Sequence, residues 1–152
     1  MTMSTLESLY QEIILDHRKN PRNFHPMENA DFYADGHNPL CGDRITVFLK
    51  MDGNTIEDIS FQGDGCAISM SSASLMTEAL KGKDEKEAKE LFKQFHHLMT
   101  HEHVHAEEIE SLGKLEVLAG VKEFPMRVKC ATLAWHTFDS ALSHKIAVVT
   151  TE

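Results

Sequence analysis

Apolar residues recur at helical spacing through Leu6, Leu9, Tyr10, Ile13 and Ile14, with His17 on the same stripe, which predicts a first helix capped by Ser4 or Thr5. That helix should stop near Asn20-Pro21, because the residue before a proline is pushed out of helical geometry. Residues 20–40 are rich in turn formers and hold at most a short strand around residues 31–35. Residues 44–51 (RITVFLKM) then read as a strand, 52–54 as a turn, and 55–62 as the returning strand of a hairpin. Gly63-Asp64-Gly65 breaks it, and Cys66 opens a helix running through Leu75, Met76, Ala79 and Leu80 to Gly82. From residue 83 to about 123 the chain turns charged and helical, with Ala88, Leu91, Phe92, Phe95 and Leu98 as a buried stripe. The pattern changes again near Pro125, and residues 130–142 read as a last helix through Leu133, Ala134, Phe138 and Leu142. Strands gather before Cys66 and helices after it, which predicts an α+β domain with helices on one face of a small antiparallel sheet of about three strands.

Composition narrows the class. A chain of 152 residues, 41% hydrophobic and without a long Pro/Gly-rich or polar tract, is expected to form one globular domain spanning residues 1–152. Folding at this size buries roughly two-thirds of the unfolded surface, so a core needs no disulfide staples. The first twenty residues intersperse Glu7, Glu12, Asp16 and Arg18 among their apolar positions and carry neither a signal-peptide core nor a membrane span, so the cytoplasm is the expected location. There an odd number of cysteines, three, points to thiol or metal chemistry. A net charge of −9 with scattered Lys and Arg argues against a nucleic-acid partner.

The cysteines fall at informative places. In Cys41-Gly42-Asp43 the i, i+2 spacing of an extended segment turns a thiol and a carboxylate to one side, and Gly42 leaves the approach open. Cys66 and Cys130 are both expected at or near helix starts, where unpaired N–H groups and the helix dipole favour a thiolate. Three sulfurs and one carboxylate suit the four-coordinate preference of zinc and disfavour magnesium or calcium. Lys129, Arg127 or Arg44 would offset the excess negative charge. The same residues are equally compatible with small core cysteines and a turn aspartate, since no CxxC pair is present.

Four motifs in order alter that balance. Residues 15–23 (LDHRKNPRN), 38–43 (NPLCGD), 61–74 (FQGDGCAISMSSAS) and 127–131 (RVKCA) resemble the IscU/NifU family of iron–sulfur cluster assembly proteins. The resemblance covers residues 6–82 and 124–142, and implies that Cys41, Asp43, Cys66 and Cys130 hold a metal or cluster. IscU-type scaffolds carry histidine just before the third cysteine, whereas this chain has Lys129, whose ammonium is no ligand. The long interval from Cys66 to Cys130 implies a helical insertion near residues 83–123. Both features resemble the SufU branch. That likeness implies a zinc-dependent sulfurtransferase taking persulfide sulfur from a pyridoxal-phosphate cysteine desulfurase (SufS-like) onto Cys41, with downstream cluster-assembly proteins as further partners. Loop placement marks Cys41 as the mobile ligand, and Lys129 and Arg127 are candidates for supporting the site or meeting the partner. The alternative within the family is a scaffold on which an iron–sulfur cluster is built, with iron or the cluster in place of zinc. The chaperone-docking motif of scaffolds is poorly kept in residues 124–129, so an Hsp70-type partner is not expected.

Remaining features are read conservatively. His97, His101 and His105, within the His-rich stretch from His96 to His105, have i, i+4 spacing and would share a face only if the helix continued; an exposed polar face is the expected role. Asp64 reads as a turn residue, and Trp135 and the methionines as core packing.

Overall fold

The computed structural model describes residues 3–101, 103–143 and 149–150. Helix α1 (Met3–Lys19) leads into an irregular stretch, followed by β1 (Phe32–Asn38), β2 (Asp43–Asp52) and β3 (Thr55–Asp64). Helices α2 (Ala67–Leu80), α3 (Glu85–Thr100) and α4 (Ala106–Glu110), a 3-10 helix (Gly113–Glu123) and α5 (Pro125–Leu142) follow, and a short β4 (Val149–Thr150) closes the described chain. The antiparallel meander β1-β2-β3 is the expected sheet; β4 adds a two-residue parallel pairing to β1, giving the order β3-β2-β1-β4. Two residues carry too little pattern to be read as a strand.

Boundaries moved where tertiary pairing extended a local preference. β1 reaches Asn38 instead of stopping near residue 35, because it pairs with β2 along its whole length up to Asn38 opposite Asp43. β3 runs through Gly63 to Asp64 opposite Arg44; Gly63 takes a φ of 142° that side chains avoid. The charged stretch after residue 83 forms the 16-residue α3, the 5-residue α4 and the 3-10 helix. Its apolar stripe behaves as read, with Ala88, Phe95 and Leu98 buried and Leu91 and Phe92 packed against the core.

The sheet buries one face. Ala34, Ile45, Val47, Leu49, Ile59 and Phe61 point inward, while Tyr33, Asp35 and Arg44 alternate to the open side. Arg44 therefore lies on the face opposite its neighbour Asp43 and is not placed to offset charge there. Helix α5 crosses the buried face and is itself covered by α2, α3 and the 3-10 helix, which is why most of its residues from Cys130 to Leu142 are buried. Gly36 permits the close approach of α5, since a Cβ there would collide with Thr137 Oγ1. Trp135 is fully buried and stacks on Phe95 at 4.7 Å between ring centroids.

The motif at residues 15–23 is a latch. His17 Nδ1 lies 2.7 Å from Ser74 Oγ, which also accepts from the Arg22 backbone N–H at 2.8 Å. Asn23 Nδ2 donates to Thr77 Oγ1 at 3.0 Å, and Arg22 pairs with Asp16 at 2.6 Å. These bonds tie α1 and the loop after it to α2. The small serines of α2 let that helix approach α5 closely enough for Ser72 Oγ to donate to the carbonyl of Ala131, one residue from Cys130.

Candidate metal centre

The site forms at one end of the sheet. Asn38 and Asp43 close the β1–β2 loop as a register pair, and residues 39–42 make its turn, with Gly42 at φ +73° and the Cys41 N–H reaching the Asn38 carbonyl at 3.3 Å. Cys41 is thus half-buried on a tight, otherwise exposed turn, and Asp43, the first residue of β2, points inward with no exposed surface.

Cys66 caps α2, as the sequence predicts: its backbone is extended and its sulfur accepts from the Ser69 N–H at 3.4 Å. Its own N–H donates to Asp43 Oδ1 at 2.9 Å, so the helix start and the carboxylate are joined directly. Gly65 lies against Asp43, where a Cβ would sit 2.7 Å from Oδ1.

Cys130 differs from expectation. Helix α5 begins at Pro125, a residue suited to the first turn of a helix because it has no N–H to satisfy. Cys130 therefore lies in the second turn, fully buried, and the unpaired N–H groups of a helix start are not available to it. Its sulfur meets instead the Cys41 sulfur at 3.2 Å and the side-chain amide of Asn38 at 3.5 Å. Burial, and then the hydrogen-bonding neighbours Cys41, Asp43 and Cys66, push the Cys130 thiol far above the ordinary thiol range. Left as a thiol, Cys130 resists taking negative charge.

Ligand atoms of Cys41, Asp43 and Cys130 all lie within 4.8 Å of one another. The Cys66 sulfur stands outside that group, turned toward its own helix N–H, yet it is near enough to act on both Cys130 and Arg127. The Arg127 guanidinium is held above its ordinary value first by the charge of Cys66, with Cys130 and Cys41 adding to it. Lys129 is half-buried on α5, next to Cys130 in the chain.

A cation fits this arrangement. Asp43 Oδ2 is buried and finds no hydrogen-bond partner among the described residues, an expensive condition that a bound cation would relieve. Three thiols and a carboxylate are a donor set for a thiophilic ion of zinc type.

The histidine stretch offers no equivalent. Helix α3 ends at Thr100, so the i, i+4 series is broken at His101, and His105 is an exposed residue preceding α4. His97 instead meets Glu108 at 3.1 Å. Asp64 ends β3 as an exposed residue. Among the described residues, metal-ligating side chains converge only at Cys41, Asp43 and Cys130. Sequence reasoning passed over Asn38 as a site residue. The signal lay in its position, since a residue paired across the loop from Asp43 must share its face.

Comparison with known proteins agrees with the fold. Residues 9–131 match the family described as the NifU-like N terminal domain. The chain is 44% identical to the zinc-dependent sulfurtransferase SufU of Bacillus subtilis (strain 168) over 140 residues, which is 92% of this chain and 93% of that protein. It is 39% identical to the iron–sulfur cluster assembly scaffold protein IscU of Streptococcus pyogenes serotype M1, covering 93% of this chain and 87% of the relative. A crystal structure of a putative scaffold protein for the SUF system from Fervidobacterium islandicum AW-1 superposes with a TM-score of 0.81 at 37% identity, over 90% of this chain and 98% of the other.

Proposed function

Because this chain belongs to the NifU-like N-terminal domain family, we propose that it serves iron–sulfur cluster assembly as a zinc-dependent sulfur acceptor, with Cys41, Asp43, Cys66 and Cys130 as ligands and Cys41 as the sulfur carrier. The observation that carries the reading is the buried, unpartnered Asp43 carboxylate oxygen beside two thiols of the converging group. Residues 83–123, which hold α3, α4 and the 3-10 helix, are taken as an insertion within a single domain spanning 1–152.

When bound, zinc supplies charge that keeps the sulfurs deprotonated and shielded from oxidation. Cys41 sits on the loop and is half-buried, whereas Cys130 is locked in α5 and Cys66 is held at the cap of α2. The Cys41 thiolate attacks the outer sulfur of a persulfide on a pyridoxal-phosphate cysteine desulfurase. A bond forms between Cys41 Sγ and that sulfur, the donor's S–S bond breaks, and the electron pair leaves on the donor's cysteine, which takes up a proton. Arg127, beside Cys66, steadies the negative charge that gathers at this end of the sheet.

Leu40, Phe124 and Met126 flank these residues in the chain and are 54%, 57% and 56% exposed, an apolar rim that supports docking of a protein donor. Downstream cluster-assembly proteins would receive the sulfur. No helix among the described residues is long and apolar enough to cross a membrane, and the reading places the protein in the cytoplasm.

The IscU relative favours a second reading, a scaffold that holds the cluster itself. Metal analysis and a desulfurase assay separate the two. Stoichiometric zinc, no colour, and stimulation of the desulfurase that Cys41→Ala and Asp43→Ala abolish are expected. A stable coloured cluster passed to an apo-acceptor would establish the scaffold instead.

A further inference from the structure

We propose that Asn38 is a positioning residue for the cysteine cluster: its side-chain amide fixes the Cys130 sulfur in place as a metal ligand and so leaves Cys41 as the ligand that departs. The inference rests on the metal-binding reading above.

Asn38 and Asp43 are the two polar side chains that the closing pair of the β1–β2 hairpin turns inward, and neither has exposed surface. Asn38 Nδ2 lies 3.5 Å from Cys130 Sγ, while Asn38 Oδ1 has no partner among the described residues. A buried amide with one unmet acceptor is a net cost to the fold. An apolar side chain of the same volume would avoid that cost, so packing alone does not account for an asparagine here. The amide N–H aimed at a sulfur does.

The three sulfurs are supported unequally. Cys66 Sγ receives the Ser69 N–H at 3.4 Å, and Cys130 Sγ receives the Asn38 amide. No described N–H is directed at Cys41 Sγ, whose partner is the Cys130 sulfur at 3.2 Å. A hydrogen bond to a thiolate stabilises its charge and lowers its reactivity, and partners beyond the ligand sphere fix ligands in place. Cys130 is fully buried, so water cannot supply that bond, and Asn38 takes water's place. Cys66 and Cys130 become anchors at helix positions, and Cys41 keeps the least supported sulfur, on the turn before β2.

The test is Asn38→Leu, with the same side-chain branching and heavy-atom count but without N–H or carbonyl, read by three measurements. These are urea unfolding of the metal-free protein, cobalt(II) affinity by titration, and the position of the thiolate-to-cobalt charge-transfer absorption. The metal-free variant should be at least as stable as wild type, cobalt should bind about 10- to 100-fold more weakly, and the absorption should move to longer wavelength. Asn38→Ala, which asks for no new space, is read by affinity and absorption alone and must shift both. Unchanged affinity and absorption in both variants would overturn the inference while leaving the metal site standing. Metal-free Asn38→Leu that loses stability, with the absorption unmoved in both variants, would reduce Asn38 to a structural residue. Wild-type protein that takes up no cobalt at its cysteines would overturn the metal-binding reading and this inference with it.

Discussion

Replacing Gly65 with alanine should disable the metal centre while leaving every proposed ligand in the sequence. The added Cβ would lie 2.7 Å from Asp43 Oδ1, 3.1 Å from Cγ and 3.2 Å from Cβ, so the whole Asp43 side chain is in its way. Restoring ordinary contact near 3.4 Å requires the carboxylate to retreat by about 0.7 Å. Asp43 has no exposed surface and its Oδ1 is tied to the Cys66 N–H at 2.9 Å, so the movement either presses on packed neighbours or breaks that bond. Overpacking costs about 1–3 kcal/mol and a lost hydrogen bond to a charged group costs a similar amount, so destabilisation of the metal-free protein by about 1–3 kcal/mol is expected, one route relieving the other. Coordination distances tolerate only about 0.2 Å, so the retreat should also weaken zinc binding by at least about tenfold. Competition against a chromophoric chelator measures the second effect, and urea unfolding with zinc removed measures the first. Gly65→Ala protein that holds zinc as tightly as wild type would refute the contact between Gly65 and Asp43 as the determinant of carboxylate position.

Three further outcomes follow from particular contacts. Cys41→Ala should abolish sulfur acceptance from the desulfurase yet change unfolding free energy by no more than about 1 kcal/mol, because the residue is half-buried on a turn; undiminished acceptance would refute its role. Burial, then Arg22, depresses His17, and burial, then His96, depresses His136, both below 6.5. Unfolding returns each to about 6.5, so the unfolded chain binds more protons; stability is full above that pH and is lost as pH falls through 6.5 toward the folded values. Urea midpoints measured downward from pH 8 should therefore fall below pH 6.5, less steeply in His17→Gln, and an identical slope in that variant would refute the assignment. Gly36→Ala should cost about 1–3 kcal/mol through its collision with Thr137 Oγ1, and adding Thr137→Ala should recover part of the loss; strictly additive losses would exclude the contact.

The four-motif resemblance was legible in residue order alone, whereas the work the motifs do is mostly long-range. Asp16, His17, Arg22 and Asn23 join α1 to α2 through side-chain bonds, and that is structural work even though the segment is among the most recognisable of the chain. As alternate residues of an extended segment Cys41 and Asp43 are expected to share a face, but Cys41 lies in the turn before β2 and Gly42 takes a φ of +73°, so the turn and not strand alternation brings them together. Cys66 caps α2 because two glycines precede it and its own backbone is extended. The start of α5 was misplaced by five residues, since Met126 and Arg127 carry no apolar period and only Pro125 marks the true first turn.

What the amino-acid order determined by itself was the periodicity and the hairpin, both of which depend on residues near one another along the chain. What only the tertiary structure decided was proximity. Asn38 and Cys130 are separated by 92 residues, and Cys66 and Asp43 by 23, yet each pair is joined by a hydrogen bond at the same end of the sheet. Those distances are set by how closely α5 and α2 approach the strands, which depends on Gly36, Gly65 and the serines of α2 yielding space. Close packing of side chains from distant segments has no period along a sequence, so it must be seen in three dimensions.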